Sequence, residues 1–350
     1  MNAGRPPDTR LHWWWVGVAA LALVAAIIAG AMIGVVDLSP MDVVRSTLDK
    51  LPFVNIETDM TVREEAILWQ IRMPRVILGV VVGSMLSAAG AAYQGVFRNP
   101  LADPYLLGAG AGAGLGATLA IVYGSNAAGW IIDPLPLAAF VGAIVGVAFA
   151  YLLGYTVRSG RTSVTLILAG VAVAAFLTAL QTFIQQRESE TLREVYGWIL
   201  GSLNTAGWGE VRLAAPYVVV SLAVVFGGRR LLDVLSVGDT DASTLGVRPG
   251  RIRLVIVVFA TLGTAAVVAV SGLIGFVGII IPHTVRLLTS ASYRVIVPLS
   301  ILLGGAFLVV ADIIARTAAA PAEIPIGVIT AIIGAPFFAI ILRTSKGVVS

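Results

Sequence analysis

Residues 229–253 read RRLLDVLSVGDTDASTLGVRPGRIR and stand between two apolar runs at 211–228 and 254–271. Arg229, Arg230, Arg248, Arg251 and Arg253 crowd the two edges of the stretch, with Asp233, Asp239 and Asp241 between them. Basic residues at the ends of apolar helices resist translocation, so this stretch is placed on the cytoplasmic side of a membrane. Gly238 and Gly246 bracket a short amphipathic piece with Ala242 and Leu245 on one side. It is either a helix pressed across the membrane face against a soluble partner or a plain connection.

The same alternation extends in both directions. A helix crossing the hydrocarbon layer needs roughly 20 apolar residues, and candidate spans fall at 13–36, 76–95, 105–124, 134–157, 164–186, 211–228, 254–271, 276–290, 295–315 and 326–342. Of the 350 residues, 58% are hydrophobic and 12% charged, and the mean hydropathy is +0.95. A water-soluble domain could not hide so many apolar side chains. The expected fold is therefore all-α and membrane-integral: ten transmembrane helices forming one transmembrane domain over 1–350. Several spans are short or broken by Gly and Pro, which a bilayer tolerates only inside a bundle or beside a cavity.

Charge supports the count. With the N-terminus inside, fourteen of the 23 basic residues and five of the 19 acidic ones face the cytoplasm; the outer segments hold nine basic and thirteen acidic residues, and Asp312 lies within a span. This asymmetry favours ten crossings of a bacterial inner membrane with both termini cytoplasmic. The first run, at 24 residues, exceeds the roughly 7 to 15 of a signal-peptide core and is read as a retained helix.

Other function classes find little support. The net charge of +4 is spread over helix ends and forms no stripe for nucleic acid. Cysteine is absent, and His12 and His283 are too few for an imidazole cluster, so no metal site is expected in the chain itself. No Gly-x-x-x-x-Gly-Lys-Ser/Thr occurs, and Lys is confined to Lys50 and Lys346, so the chain is not expected to hydrolyse ATP. Nucleophile elbows, HExxH motifs and plausible triads are missing too, and no catalytic residue is assigned.

Four features remain. Residues 108–117, GAGAGAGLGA, match a dinucleotide fingerprint by letters, but they sit in an apolar span where alternating Gly and Ala serve close helix packing. Asp312 and Arg316 lie four apart near the outer end of a span and fit an i,i+4 ion pair, with a proton relay as the rival reading. A proton-coupled secondary transporter using Asp312 and His283 is the corresponding alternative function, although His283, after Pro282, reads more simply as a structural histidine. Arg72-Met-Pro-Arg75 stands at the outer mouth of the second span. Its two guanidiniums either grip carboxylates or mark the lipid interface.

The order of several segments resembles the FecCD family of ABC importer permeases, which includes the cobalamin permease. They are Arg72-Met-Pro-Arg75, Gly90-Ala-Ala-Tyr-Gln-Gly-Val-Phe-Arg-Asn-Pro-Leu-Ala-Asp-Pro104, Leu107-Gly-Ala-Gly-Ala-Gly112, Leu168-Ala-Gly170, Gly197-Trp-Ile-Leu-Gly-Ser202 and Leu245-Gly-Val247. Gly272-Leu-Ile-Gly-Phe-Val-Gly-Ile-Ile-Ile-Pro-His-Thr-Val-Arg286, Ala311-Asp312, Glu323-Ile-Pro-Ile-Gly327 and Gly334-Ala-Pro-Phe337 follow. The blocks cover residues 70–342, and the first 70 residues match only in holding one helix.

The resemblance implies a type II importer permease with helices two to five and seven to ten related as an inverted repeat, paired with a second permease subunit, identical or related. Two separate ATP-binding subunits would hold ATP and Mg, and an extracytoplasmic binding protein would deliver a metal chelate: iron-siderophore first, then haem or cobalamin. By that resemblance, Arg72, Arg75 and Arg316 dock the binding protein. Gly238, Ala242, Leu245, Gly246 and Val247 meet the ATPase, and Thr162, Ser163 and Thr165 form a cytoplasmic gate, where Val164 departs from a uniformly polar pattern.

Overall fold

The computed structural model describes residues 10–34, 36, 38–50, 56, 58–124, 133–156, 163–204, 206–244 and 246–344. Among them there is no strand. Helix α1 (Trp13–Met32) is followed by a short amphipathic α2 (Pro40–Asp49) and by α3 (Val62–Ala66). Thr61 and Glu64 close a capping box at the start of α3. The helix then widens into one π-turn over Ile67–Arg72 and continues as α4 (Met73–Phe97). Pro74 has no amide hydrogen to donate, which accounts for a change of register just before it.

A 3-10 turn, Pro104–Leu107, leads into α5 (Ala109–Tyr123), followed by α6 (Pro134–Thr156), α7 (Ser163–Arg187), a short α8 (Leu192–Ile199) and α9 (Trp208–Ser236). The six-residue α10 (Asp239–Thr244) precedes α11 (Pro249–Ser271), α12 (Val277–Leu288), α13 (Tyr293–Thr317) and α14 (Ile326–Thr344). Among the described residues, seven helices are long and apolar enough to cross a membrane, and Ala109–Tyr123, Val277–Leu288 and Ile326–Ile341 are shorter apolar ones. These ten fall on the ten expected spans.

The ends differ from the sequence reading where polar residues still favour helix. The sixth span runs as α9 from 208 to 236, well beyond the apolar run at 211–228. The eighth, expected over 276–290, has only 12 helical residues. At 1.5 Å per residue that is about 18 Å, short of a hydrocarbon layer of roughly 30 Å. Its helix opens only after Phe276, whose φ is 69°.

A related break occurs in the other half, where α5 opens after Gly108 (φ 83°). The preceding helices, α4 and α11, both end on a residue of positive φ, Arg98 at 51° and Gly272 at 68°. The two halves thus share a long helix, a left-handed stop and a shortened second helix, in keeping with the expected inverted repeat. At position 272 only glycine fits: a Cβ there would run into the carbonyl of Trp198.

Helix α4 is the central post, buried along nearly its whole length between α9, α11, α12 and α13. Its small residues permit this. The backbone of Gly83 lies against that of Gly304 in α13, and Gly90 against Gly278 in α12, with no room for a side chain at either crossing. The glycine string at 108–117 works the same way, Gly112 facing Gly142 and Gly116 facing Ala138 across α5 and α6. By contrast, Leu21, Val24 and Ile28 of α1 and Leu168, Phe176 and Phe183 of α7 are exposed, as lipid-facing or partner-facing surfaces require.

Residues of α2 and of the π-turn pack over the end of α1. Leu38 and Val43 pack with Ala31, Leu68 and Met73. Trp69 donates its indole N–H to Ser46 Oγ at 2.9 Å and receives one at its carbonyl from the indole of Trp208 at 2.8 Å.

Candidate functional sites at the two ends of the bundle

Charged side chains gather at opposite ends of α4. At its N-terminal end Arg75 meets two carboxylates. Its Nε donates to Asp312 Oδ1 and Oδ2 at 3.0 and 3.1 Å, and its Nη2 to Asp312 Oδ1 at 2.9 Å. Nη1 and Nη2 also reach Glu323 Oε1 and Oε2 at 2.9 and 3.0 Å. Paired, charge-assisted bonds of this kind are the strong form of a guanidinium contact. The i,i+4 pair read from the sequence is present as well, with Arg316 Nε 3.6 Å from Asp312 Oδ2.

Arg72 and Arg316 do something the sequence did not disclose. Arg72 Nη1 donates to the carbonyls of Ala31 and Met32 at 3.0 and 2.8 Å, and Nη2 to that of Val36. Arg316 Nη2 donates to Gly30 at 2.6 Å. The last carbonyls of a helix have no partner within it, and α1 has no basic residue in its own last turn. Two arginines from distant parts of the chain fill that place, and they suit the negative end of the helix dipole.

The resemblance assigns Arg72, Arg75 and Arg316 to docking a binding protein, and in the folded chain all three are largely buried. Arg72, Arg75 and Arg316 are 5%, 9% and 5% exposed. Arg72 and Arg75 also part company: the first reaches carbonyls at the end of α1 and the second reaches Asp312 and Glu323, because the turn between them points them at different neighbours. The partner that sequence reading missed is Glu323. It stands 248 residues from Arg75, and its only local signal is its place beside Pro325 at the start of α14. A cavity of about 130 Å³ with mixed polar and apolar walls lies alongside, lined in part by Arg75, Ser202, Asn204, Asp312 and Glu323.

At the other end of α4, Arg98 donates Nε to the carbonyl of Leu235 at 2.8 Å and pairs through Nη2 with Asp239, the first residue of α10. Arg253, near the start of α11, reaches the same carboxylate at 3.1 Å. Asp233, in the last turns of α9, accepts from Ser292 Oγ at 2.8 Å and from the backbone N–H of Tyr293 at 2.6 Å, with Arg294 Nε 3.3 Å away. Arg286 Nη1 donates to Gln94 Oε1 and Nη2 to Tyr293 Oη, both at 3.2 Å. The helices α4, α9, α11, α12 and α13 are therefore cross-tied at this end, and Asp239 fastens α10 to α4 and α11.

The bracketing glycines are where the sequence put them. Gly238 has φ 124° and Gly246 φ 79°, conformations open to Gly and strained for other residues. Between them α10 turns Ala242 fully inward and leaves Thr240, Ser243 and Thr244 exposed. Val247 is half-buried. Leu245 and Thr162 lie outside the described residues, and Ser163 and Thr165 open α7. His283 is half-buried, with its ring edge-on to Phe337 at 6.0 Å. Asp312 is 2% exposed, held between Arg75 and Arg316 and bordering the same cavity.

The chain matches the FecCD transport family over residues 22–344. It is 42% identical over 280 residues to the cobalamin import system permease protein of Halobacterium salinarum, covering 80% of this chain and 74% of that one. It is 39% identical over 291 residues to the Fe(3+)-citrate import system permease protein YfmD of Bacillus subtilis, covering 81% and 83%. Among solved structures it resembles a metal-chelate type ABC transporter in an inward-facing conformation, with a TM-score of 0.82, 27% identity and coverage of 95% of this chain and 100% of that one. On this agreement of sequence, helix order and packing, the chain is a member of the FecCD transport family.

Proposed function

We propose that this protein is the membrane-spanning subunit of a binding-protein-dependent ABC importer that moves a metal chelate inward, with ATP and Mg held by a separate pair of ATPase subunits. The cargo is an iron-siderophore, haem or cobalamin. The observation that carries the reading is α10, a short helix held between two left-handed glycines and tied by Asp239 to Arg98 and Arg253. A knob presented this way can transmit a push from a soluble motor to α4 and α11 at once. Gly238, Ala242, Leu245, Gly246 and Val247 form the coupling contact, and Thr162, Ser163 and Thr165 the gate on the same side.

The opposite end is the docking face for the binding protein, in the form that burial imposes. Arg72 and Arg316 hold α1, while Arg75 is the guanidinium reached from outside. An apolar groove of about 630 Å³ between α8, α12 and α14, lined by residues such as Leu200, Phe276 and Ile332, supports a pathway completed by a second permease subunit. Its lining suits a large cargo that must leave as readily as it enters. Reconstitution with the ATPase and binding protein tests the assignment. Uptake of a ferric siderophore, haem or cobalamin should depend strictly on ATP, and uptake driven by a proton gradient without the ATPase would overturn it.

A further inference from the structure

Arg75 holds two carboxylates in very different surroundings. The Asp312 side chain is 3% exposed and the Glu323 side chain 35%. A buried charge cannot be left single, but one acid can replace another on it without such a penalty. Only Glu323 stands where a replacement could enter.

Its surroundings favour the exchange. Glu323 is held here by Arg75 through two hydrogen bonds, at 2.9 and 3.0 Å, on the more exposed side of the cluster. The adjoining cavity gives an incoming side chain room, with Ser202 and Asn204 on its wall. Glu323 also lies on the short link from α13 to α14. Just beyond it, Ile326 and Gly327 donate their N–H groups to the carbonyls of Gly201 and Leu200 at 3.2 and 3.0 Å. Leu200 and Gly327 line the apolar groove. A change at Glu323 is thus two hydrogen bonds away from the wall of the proposed pathway.

We propose that Glu323 is a built-in competitor for Arg75: an acidic side chain of the binding protein displaces it and takes the seat formed by Arg75, Ser202 and Asn204. The inference rests on the docking reading above. Resting permease keeps its docking cation neutralised, and docking becomes a carboxylate exchange that also loosens the link to α14.

Surface plasmon resonance tests this, with the assembled importer in nanodiscs and its own binding protein immobilised as the probe. Glu323→Gln frees Arg75 and should tighten binding about three- to tenfold, mainly through slower release. Glu194→Gln makes the same charge change at an exposed position on α8 and should stay within about twofold of the parent. Equal effects of the two, or weaker binding by Glu323→Gln, would overturn the competitor role. Arg75→Gln separates the two claims: unchanged binding defeats docking itself, whereas weakened binding beside an inert Glu323→Gln defeats only the competition. Should Glu323→Gln not fold, Ile324→Cys, half-buried on the same link in this cysteine-free chain, is a second readout. Its maleimide labelling should accelerate severalfold when the binding protein is added, and an unchanged rate would refute the displacement.

Discussion

Arg253 and Asp239 are joined at 3.1 Å, and this pair fastens the short helix α10 to the base of α11. Arg98 approaches the same carboxylate from the end of α4, so one aspartate links three elements. The Asp239 side chain is half exposed, and pairs in that setting contribute only about 0 to 1 kcal/mol to stability. Under the proposed coupling role their value lies in transmission.

Asp239→Ala should therefore melt within a few degrees of the parent yet lose most ATP-driven uptake, while the ATPase subunits keep turning over. Parallel melting and uptake measurements check it. Uptake near the parental level would show that α10 drives the bundle without this tie.

The opposite end should behave in the reverse way. Arg75→Ala leaves Asp312 buried beside a single, more distant guanidinium, and breaking a buried pair costs about 3 to 5 kcal/mol. Arg75→Met with Asp312→Leu removes both charges and should recover much of that loss. Thermal unfolding in detergent with a fluorescence readout compares the variants.

The helix crossings give a steric test. A Cβ at Gly90 would meet the backbone of Gly278, whereas at Gly227 nothing stands within 4 Å. Gly90→Val should destabilise by about 1 to 3 kcal/mol or more. Gly227→Ala, in the exposed middle of α9, should stabilise by roughly 0.5 to 1 kcal/mol. Melting of the two variants reads both signs.

Asp103 offers a pH signature. Burial pushes its carboxyl up to about 6, against the opposing effect of the Tyr105 N–H that it accepts. A raised acid costs nothing below its unfolded value. Its cost grows as pH rises toward the folded value and is constant above it. Asp103→Asn keeps the acceptor oxygen and loses the charge, so it should raise stability at pH 8 by up to about 3 kcal/mol and leave it unchanged near pH 4. Melting curves at the two pH values measure the difference.

The sequence disclosed the features that depend on local pattern. Ten apolar runs become ten helices because length and hydropathy suffice to select them. The glycines at 108–117 pack α5 on α6 because small residues at helical spacing leave few other uses for that face. Asp312 and Arg316 meet because four residues is one turn. Tertiary partners were another matter. Nothing near Arg75 points to Glu323, and nothing near Arg72 points to the end of α1, since these contacts exist only once α1, α4, α13 and the link to α14 are assembled. For that reason arginines that read as surface anchors are interior ones. The extra length of α9 escaped notice because its flanks are polar yet still good helix formers.

Sidedness is the claim on which coupling, docking and gating all depend, and the absence of cysteine makes it directly measurable. Thr240→Cys on α10 and Ser189→Cys between α7 and α8 replace exposed residues at opposite poles of the charge pattern. With a membrane-impermeant maleimide on intact spheroplasts, Ser189→Cys should label at once and Thr240→Cys only after permeabilisation. Immediate labelling of Thr240→Cys with protection of Ser189→Cys would invert the molecule and contradict the assignment of both ends.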